Sequence, residues 1–329
     1  MVDVVLKDLS PIFEGLYAKT DRPSTAPEKL QCTLLLQVLY SVRSKRLLME
    51  QLDYNLLSRW FVGLSMDDTI WNVTLFSKNR DRLLEGASAQ AFFERILVHD
   101  REQRLLSDEH FTVDGTLIEA WAGQKSFKKR GSGSVNSMGD PGNPTIDFKG
   151  EKRSNETHQS TTDPDARLYK KAKGQESKLC YLGHVMMENR NGLAVNARVT
   201  KTTGTAEREA AVDMLGELPG KNRITVGGDK AYDTKDFVKQ VRSMGATPHV
   251  VQNSESRASA IDSRTTRHAG YPISQRKRKR VEEVFGWMKT IGMLRKTRHR
   301  GTRRVGWMFT FGVAVYNLVR MRNMMEAPA

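Results

Sequence analysis

Apolar residues in the first third of the chain recur at helical spacing. From residue 25 to about 105 the series begins Leu30, Leu34, Val38 and Val42, and Thr25 with Glu28 forms a capping-box pattern at its start. Strand signals are scarce here, so the pattern predicts an all-helical N-terminal domain over 1–106. A second helix is expected from Asp67 to Leu84. Its Lys78, Arg80 and Arg82 face either DNA phosphates or plain solvent, and solvent is the commoner outcome for such a run.

The period changes at His110. Phe111, Val113 and Ile118, with the β-branched Thr112 and Thr116, predict a strand that contains Asp114. Residues 122–177 turn polar, with a Gly/Ser run at 131–134 and Pro141, Pro144 and Pro164, and read as a long, partly mobile loop. Leu179–Met187 and Leu193–Val199 predict two strands joined at Asn191-Gly192, the dipeptide suited to a type I′ hairpin. Thr205 then caps a helix running to Leu218. A short strand over Arg223–Gly228 ends on Asp229, a helix spans Thr234–Ser243 and closes at Gly245, and Thr247–Val251 gives another strand. The last helix, about Thr302–Asn323, turns Trp307, Phe311, Val315 and Leu318 toward a core. From residue 107 onward the order predicts a mixed α/β sheet flanked by helices.

Charge narrows the partner. The 329 residues hold 53 Lys plus Arg against 38 Asp plus Glu, a net +15, and residues 264–304 alone hold 14 cations against Glu282 and Glu283. Such an excess favours a polyanion over a small neutral substrate. No run approaches the roughly 18 apolar residues of a membrane span, so nucleic acid is the better partner and the cytoplasm the expected compartment. Cys32 and Cys180 are too few for a zinc cluster or a disulfide framework. No glycine-rich phosphate loop indicates ATP use. His184 reads as a sheet histidine, and Trp121 and Trp287 as packed aromatics before base-stacking platforms.

Any metal must therefore sit on carboxylates, and three stand out by context. Asp114 lies inside a strand, where aspartate is disfavoured without compensation; the bland reading is a cap on the turn at Gly115. Asp229 follows Gly227 and Gly228 and competes with Asp233, which precedes a helix and has the stronger capping claim. Glu282 lies four residues after Arg278 and seven before Lys289, which places all three on one helical face, as an exposed ion pair or as a clamp on DNA. A phosphodiester is a poor electrophile shielded by charge. Two hard divalent ions about 4 Å apart overcome both obstacles, and carboxylate oxygens suit them.

Three motifs together resemble the insertion-sequence transposases that carry an Asp, Asp, Glu (DDE) triad on an RNase H-like domain. They are FTVDGTLIEAW at Phe111–Trp121, VGGDKAYD at Val226–Asp233 and RKRVEEVFGWMK at Arg278–Lys289, the last with Arg, three residues, Glu, six residues and Lys. STTDPDA at Ser160–Ala166 extends the resemblance to residues 20–320. It implies an RNase H-like catalytic domain over 107–329 behind an end-recognition domain. It also implies two Mg²⁺ or Mn²⁺ ions, with Asp114 bridging them while Asp229 and Glu282 each hold one, and Arg278 and Lys289 on phosphates of the transposon end. The implied partners are terminal inverted repeats, target DNA and a second copy of the chain bound to DNA, in the nucleoid of a bacterium or archaeon. One departure is visible: the family often has Tyr three residues before the Arg, and here that position is Gln275. A nuclease or resolvase without strand transfer and a catalytically inactive DNA-binding protein are the competing readings.

Overall fold

The computed structural model describes residues 2–14, 26–130, 153–170, 176–220, 223–254 and 258–326. Seven described helices precede the first strand: α1 (Val2–Asp8), α2 (Ser10–Glu14), α3 (Pro27–Leu39), α4 (Lys45–Tyr54), α5 (Leu56–Val62), α6 (Val73–Glu85) and α7 (Ser88–Glu102). Thr25 lies outside the described residues. Helix α3 opens on Pro27 with Ala26 at the N-cap and no side-chain cap, while Glu28 accepts a hydrogen bond from Ser10 Oγ at 3.0 Å. Helix α6 starts at Val73, later than the pattern predicted. Asp68 is spent on a turn, accepting from Ser65 N at 2.9 Å, and Asn72 supplies the cap by accepting from Leu75 N at 2.7 Å.

The main six-stranded sheet contains β1 (His110–Glu119), β4 (Arg167–Tyr169), β5 (Lys178–Glu188), β6 (Ala194–Lys201), β7 (Thr225–Gly228) and β8 (Thr247–Val250) in the order β4-β5-β1-β7-β8, with β6 also paired to β5. Strand β5 runs antiparallel to both β6 and β1, whereas β7 and β8 run parallel to β1. This is the RNase H-like arrangement of a mixed sheet. The later helices are α8 (Ala206–Gly216), α9 (Lys235–Ser243), α10 (Ser263–Thr266), α11 (Gly270–Lys277), α12 (Val281–Thr290) and α13 (Thr302–Glu326).

Strand alternation assigns the two faces. Phe111, Val113, Met186 and Val226 pack with Ala211 and Met214 of α8 and Phe237 and Val241 of α9. Ile118, Val185 and Met187 point the other way, into a core shared by α12, α13 and the N-terminal helices. There Trp307 stacks on Phe311 at 4.9 Å and donates from Nε1 to Ser88 Oγ at 3.1 Å, and Phe311 meets Phe92 at 5.5 Å. The helical region and the sheet are thus fastened through α13. No described helix is long and apolar enough to cross a membrane.

Two local expectations are corrected. The β5–β6 connection is a five-residue loop, not a two-residue type I′ turn, because Gly192 has a positive φ (74°) and Asn191 does not. The buried Glu188 carboxylate organises it by accepting from Arg190 N at 3.0 Å and Asn191 N at 2.6 Å. The Gly/Ser run at 131–134, Pro141 and Pro144 lie outside the described residues, and the described part of 122–177 is not simply a loop. They include β2 (Phe127–Lys129) paired with β3 (His158–Ser160), and β4 (Arg167–Tyr169) paired with the start of β5. Phe127 stacked on His158 at 5.5 Å and Asn155 bridging both backbone groups of Leu168 at 2.8 Å replace the apolar alternation that would have announced these strands. The STTDPDA motif is structural: Asp163 accepts from Tyr181 Oη at 2.6 Å and Gly301 N at 3.1 Å, and Asp165 caps α13 by accepting from Thr302 N at 3.0 Å.

Gly183 in β5 packs tightly under α13; an added Cβ would lie 2.6 Å from Phe309 Cε2. Gly183→Ala is therefore expected to lower unfolding free energy by about 2 kcal/mol through overpacking. Gly204→Ala, with nothing within 4 Å, should change it by less than about 0.5 kcal/mol. Equal effects of the two in a denaturant titration would contradict this packing.

Candidate active site

Strand β1 pairs with β7 only over His110–Thr112, and its edge is next met at Glu119, which bridges to Lys296. Between those points no described strand covers that edge of β1, and Asp114 sits in the gap. Its side chain shares the face of its cross-strand partner Val185, toward α12 and α13. Asp229 follows the last residue of β7 and caps a 3₁₀ turn by accepting from Ala231 N at 2.8 Å. The same parallel pairing that aligns Thr112 with Gly227 thus carries both aspartates to one end of the strand pair.

Of Asp229 and Asp233, the second is held by distant chain. Asp233 is 1 % exposed, and its two oxygens accept from Asn253 N at 2.7 Å and Ala260 N at 2.8 Å, anchoring the segment after β8. The cap of α9 is Thr234, which accepts from Phe237 N at 3.3 Å. Asp229 is left at the mouth of the gap.

Arg278 lies in a 3₁₀ turn between α11 and α12, with its Cβ 3.6 Å from where a Cβ on Gly227 would be. Gln275, the departure noted above, accepts from Arg278 Nε at 3.1 Å and donates to His249 O of β8 at 2.7 Å. It therefore ties the guanidinium to the sheet.

Burial pushes the Asp114 carboxyl up to about 7, and the charges of Asp229 and Glu207 add to the rise; the Gly115 amide and Arg278 oppose it. The structure thereby gathers Asp114, Asp229 and Arg278 into one electrostatic neighbourhood. Glu207 is a fourth member that the sequence reading did not single out. It lies in the first turn of α8, where acidic residues are common, so spacing alone gave no signal.

Glu282 stands apart from that group. Helix α12 packs against β1 on the face toward which Asp114 points, but the Glu282 side chain is exposed and has no hydrogen bond or ion pair among the described residues. Glu283 is distinguished from it by an ion pair with Arg320 of α13 at 3.4 Å. Lys289 is half-buried in the last turn of α12. Among the described residues no group of three or more His, Cys, Asp or Glu side chains is placed to hold a metal ion as they stand. His184 is buried in β5 and bonds Thr200 Oγ1 at 2.7 Å, as a sheet histidine does. Trp121 is half exposed, and Trp287 packs edge-on against Tyr316.

The sequence pattern of the transposase DDE domain family matches residues 107–318, and that described as transposase domain (DUF772) matches residues 1–82. The chain belongs to the DDE transposase family and is a DNA transposase, a nucleic-acid-cleaving enzyme by that membership. Among solved structures it is similar to a piggyBac transposase synaptic complex with hairpin DNA (13 % identity, 99 % of this chain and 73 % of that one, TM-score 0.44). It is also similar to the Mos1 strand transfer complex (11 % identity, 93 % and 79 %, TM-score 0.27). These likenesses are distant, and nothing about this chain's chemistry rests on them. No curated protein sequence matches the chain significantly.

The pH dependence of the metal-free protein follows from Asp114. An unfolded aspartate titrates near ~3.9, so the folded value is the higher one, and ionising Asp114 costs stability progressively between pH ~4 and about 7. With divalent ions chelated, Asp114→Asn should melt a few degrees above wild type at about pH 8 and together with it at about pH 4. Parallel melting profiles across that range would contradict the assignment.

Proposed function

We propose that the enzyme cleaves DNA at transposon ends with two Mg²⁺ or Mn²⁺ ions and transfers the freed 3′ hydroxyl to target DNA at the same site. The observation that carries this is the placement of Asp114 in the strand gap with Asp229 at its mouth and Arg278 beside them. The donor set fits the metal: hard carboxylate oxygens suit Mg²⁺, which keeps several waters and takes further oxygens from a substrate phosphate, so a closed protein cage is not required. When bound, the ions supply charge neutralisation at the phosphate and a lowered pKa for the attacking oxygen.

In this reading Asp114, Asp229 and, from α12, Glu282 would hold the ions. Its exposed side chain, with no hydrogen bond or ion pair among the described residues, leaves Glu282 able to turn toward the gap. Arg278, oriented by Gln275, and Lys289 hold phosphates of the DNA end. The helices before residue 107 recognise the terminal inverted repeat, and the basic segment around α11 and α12 tracks the backbone. Two ends must be held together, so the working form is a homodimer on DNA, in the cytoplasm of a bacterium or archaeon.

A strand-transfer assay on DNA carrying the element's own ends tests the proposal. Asp114→Asn, Asp229→Asn and Glu282→Gln should each reduce joined product by roughly 100-fold or more. Asp233→Asn should instead lower the melting temperature while the folded enzyme still joins ends, because that residue anchors a loop. Wild-type cleavage without joining would make the enzyme a nuclease, and a fully active single mutant would remove its residue from the site.

A further inference from the structure

We infer that the turn between α3 and α4 and the segment between α12 and α13 together form a cradle for the phosphate backbone of duplex DNA, outside the active site. This rests on the proposed handling of DNA at the strand gap and adds to it a second contact, shared by the helical region and the sheet.

The first argument is placement. The turn after α3 is bound to the segment after α12 at two points: Ser41 Oγ donates to Ile291 O at 2.9 Å, and the Arg298 guanidinium donates to Arg43 O. Between those two points the same segment joins the edge of β1, where Glu119 N donates to Arg295 O at 3.1 Å and Thr297 N donates to Glu119 O at 2.8 Å. Residues 291–298 therefore link the helical region directly to the far end of the gap in which Asp114 sits. Arg43, Arg295, Lys296 and Arg298 are exposed along that link.

The second argument is charge. Lys45, in the first turn of α4, donates from Nζ to Ser77 Oγ of α6 at 2.8 Å, and Arg298 rests on a backbone carbonyl, so neutral acceptors hold both cations. The acids close by are spent on other partners: Asp81 pairs with Arg80 at 2.7 Å and Glu85 with Arg304 at 2.7 Å. Among the described residues Arg43, Lys45 and Arg298 have no ion pair. Burial and the charge of Arg80 hold the Lys45 ammonium below its ordinary range, and burial and Arg43 do the same to Arg298. Solvated cations on flexible stems spread apart. These are fixed beside one another by contacts between distant parts of the chain, an arrangement that is unfavourable until a polyanion neutralises it.

The third argument is the fit of the ligand. Arginine forks and lysine ammonium groups bind phosphate oxygens strongly, and such contacts fix a duplex in position without reading its bases. A duplex seated on Arg43, Lys45 and Arg298 would lie across the helical region and the end of β1 at once. Its binding by the first region would then bring it to the gap in the second.

The test is equilibrium binding of the full chain, in EDTA and over a range of salt, to a duplex carrying the element's end and to an unrelated duplex of equal length. Arg43→Gln and Lys45→Gln should each weaken binding roughly tenfold and lower the salt slope by ~0.9, the value of one phosphate contact. Lys45→Arg, which keeps the charge, should bind as wild type does. Arg43 is exposed, so its variant carries the test should Lys45→Gln fail to fold. Lys239→Gln removes one exposed charge from α9, on the other face of the sheet, and is the control. Loss on the end duplex alone assigns the cradle to the transposon end, and loss on both assigns it to any duplex, target DNA included. Unchanged binding in Arg43→Gln and Lys45→Gln, or an equal loss in Lys239→Gln, overturns the cradle and leaves the active-site reading standing. Failure of wild type to bind either duplex overturns the DNA-handling reading and the cradle with it.

Discussion

Strand β1 pairs with β7 for three residues and then loses it, and the chemistry proposed for this protein depends on that separation. A continuous parallel ladder would bury Asp114 between covered strands, where an ionised carboxylate is prohibitively unfavourable. A wholly exposed edge would leave it in bulk solvent, with an ordinary pKa and no neighbours. The partial opening between Thr112 and Glu119 gives an intermediate environment, dry enough to push the carboxyl up to about 7 and open enough to admit a polar ligand.

Much of the remaining architecture keeps that gap in register. Asp163 and Asp165 tie the start of α13 to β5 and the segment before β4, and α13 binds the sheet to the N-terminal helices through Trp307, Phe311 and Phe92. Asp233 holds the chain after β8, from which α11 and the Arg278 turn are suspended, and Gln275 links that turn back to β8. Glu188 fixes the loop at the far end of β5. Hydrogen-bonded acids thus hold the scaffold at several points, at Asp163, Asp165, Glu188 and Asp233.

The legibility of these features in the sequence follows their range. Asp114 could be read locally, because an aspartate among β-branched residues already violates strand preference. The long strands and the apolar stripe of α13 were equally plain, since their periods are set by neighbouring residues. Asp229 and Asp233 could not be told apart without Asn253 and Ala260, whose amides claim the second of them. Strands β2 to β4 were hidden because side-chain hydrogen bonds from Asn155 and a Phe127–His158 stack replace apolar alternation. Glu207 was invisible because its distinguishing contact is with a glycine 92 residues earlier.

The central claim, that Asp114 and Asp229 jointly hold divalent ions at the strand gap, is tested most directly by replacing Mg²⁺ with Fe²⁺ and generating hydroxyl radicals at the bound metal. Backbone cuts should cluster around residues 114 and 229 and disappear in Asp114→Asn. Cuts confined elsewhere, for instance around Asp233 and Asn253, or a pattern indifferent to that substitution, would contradict it.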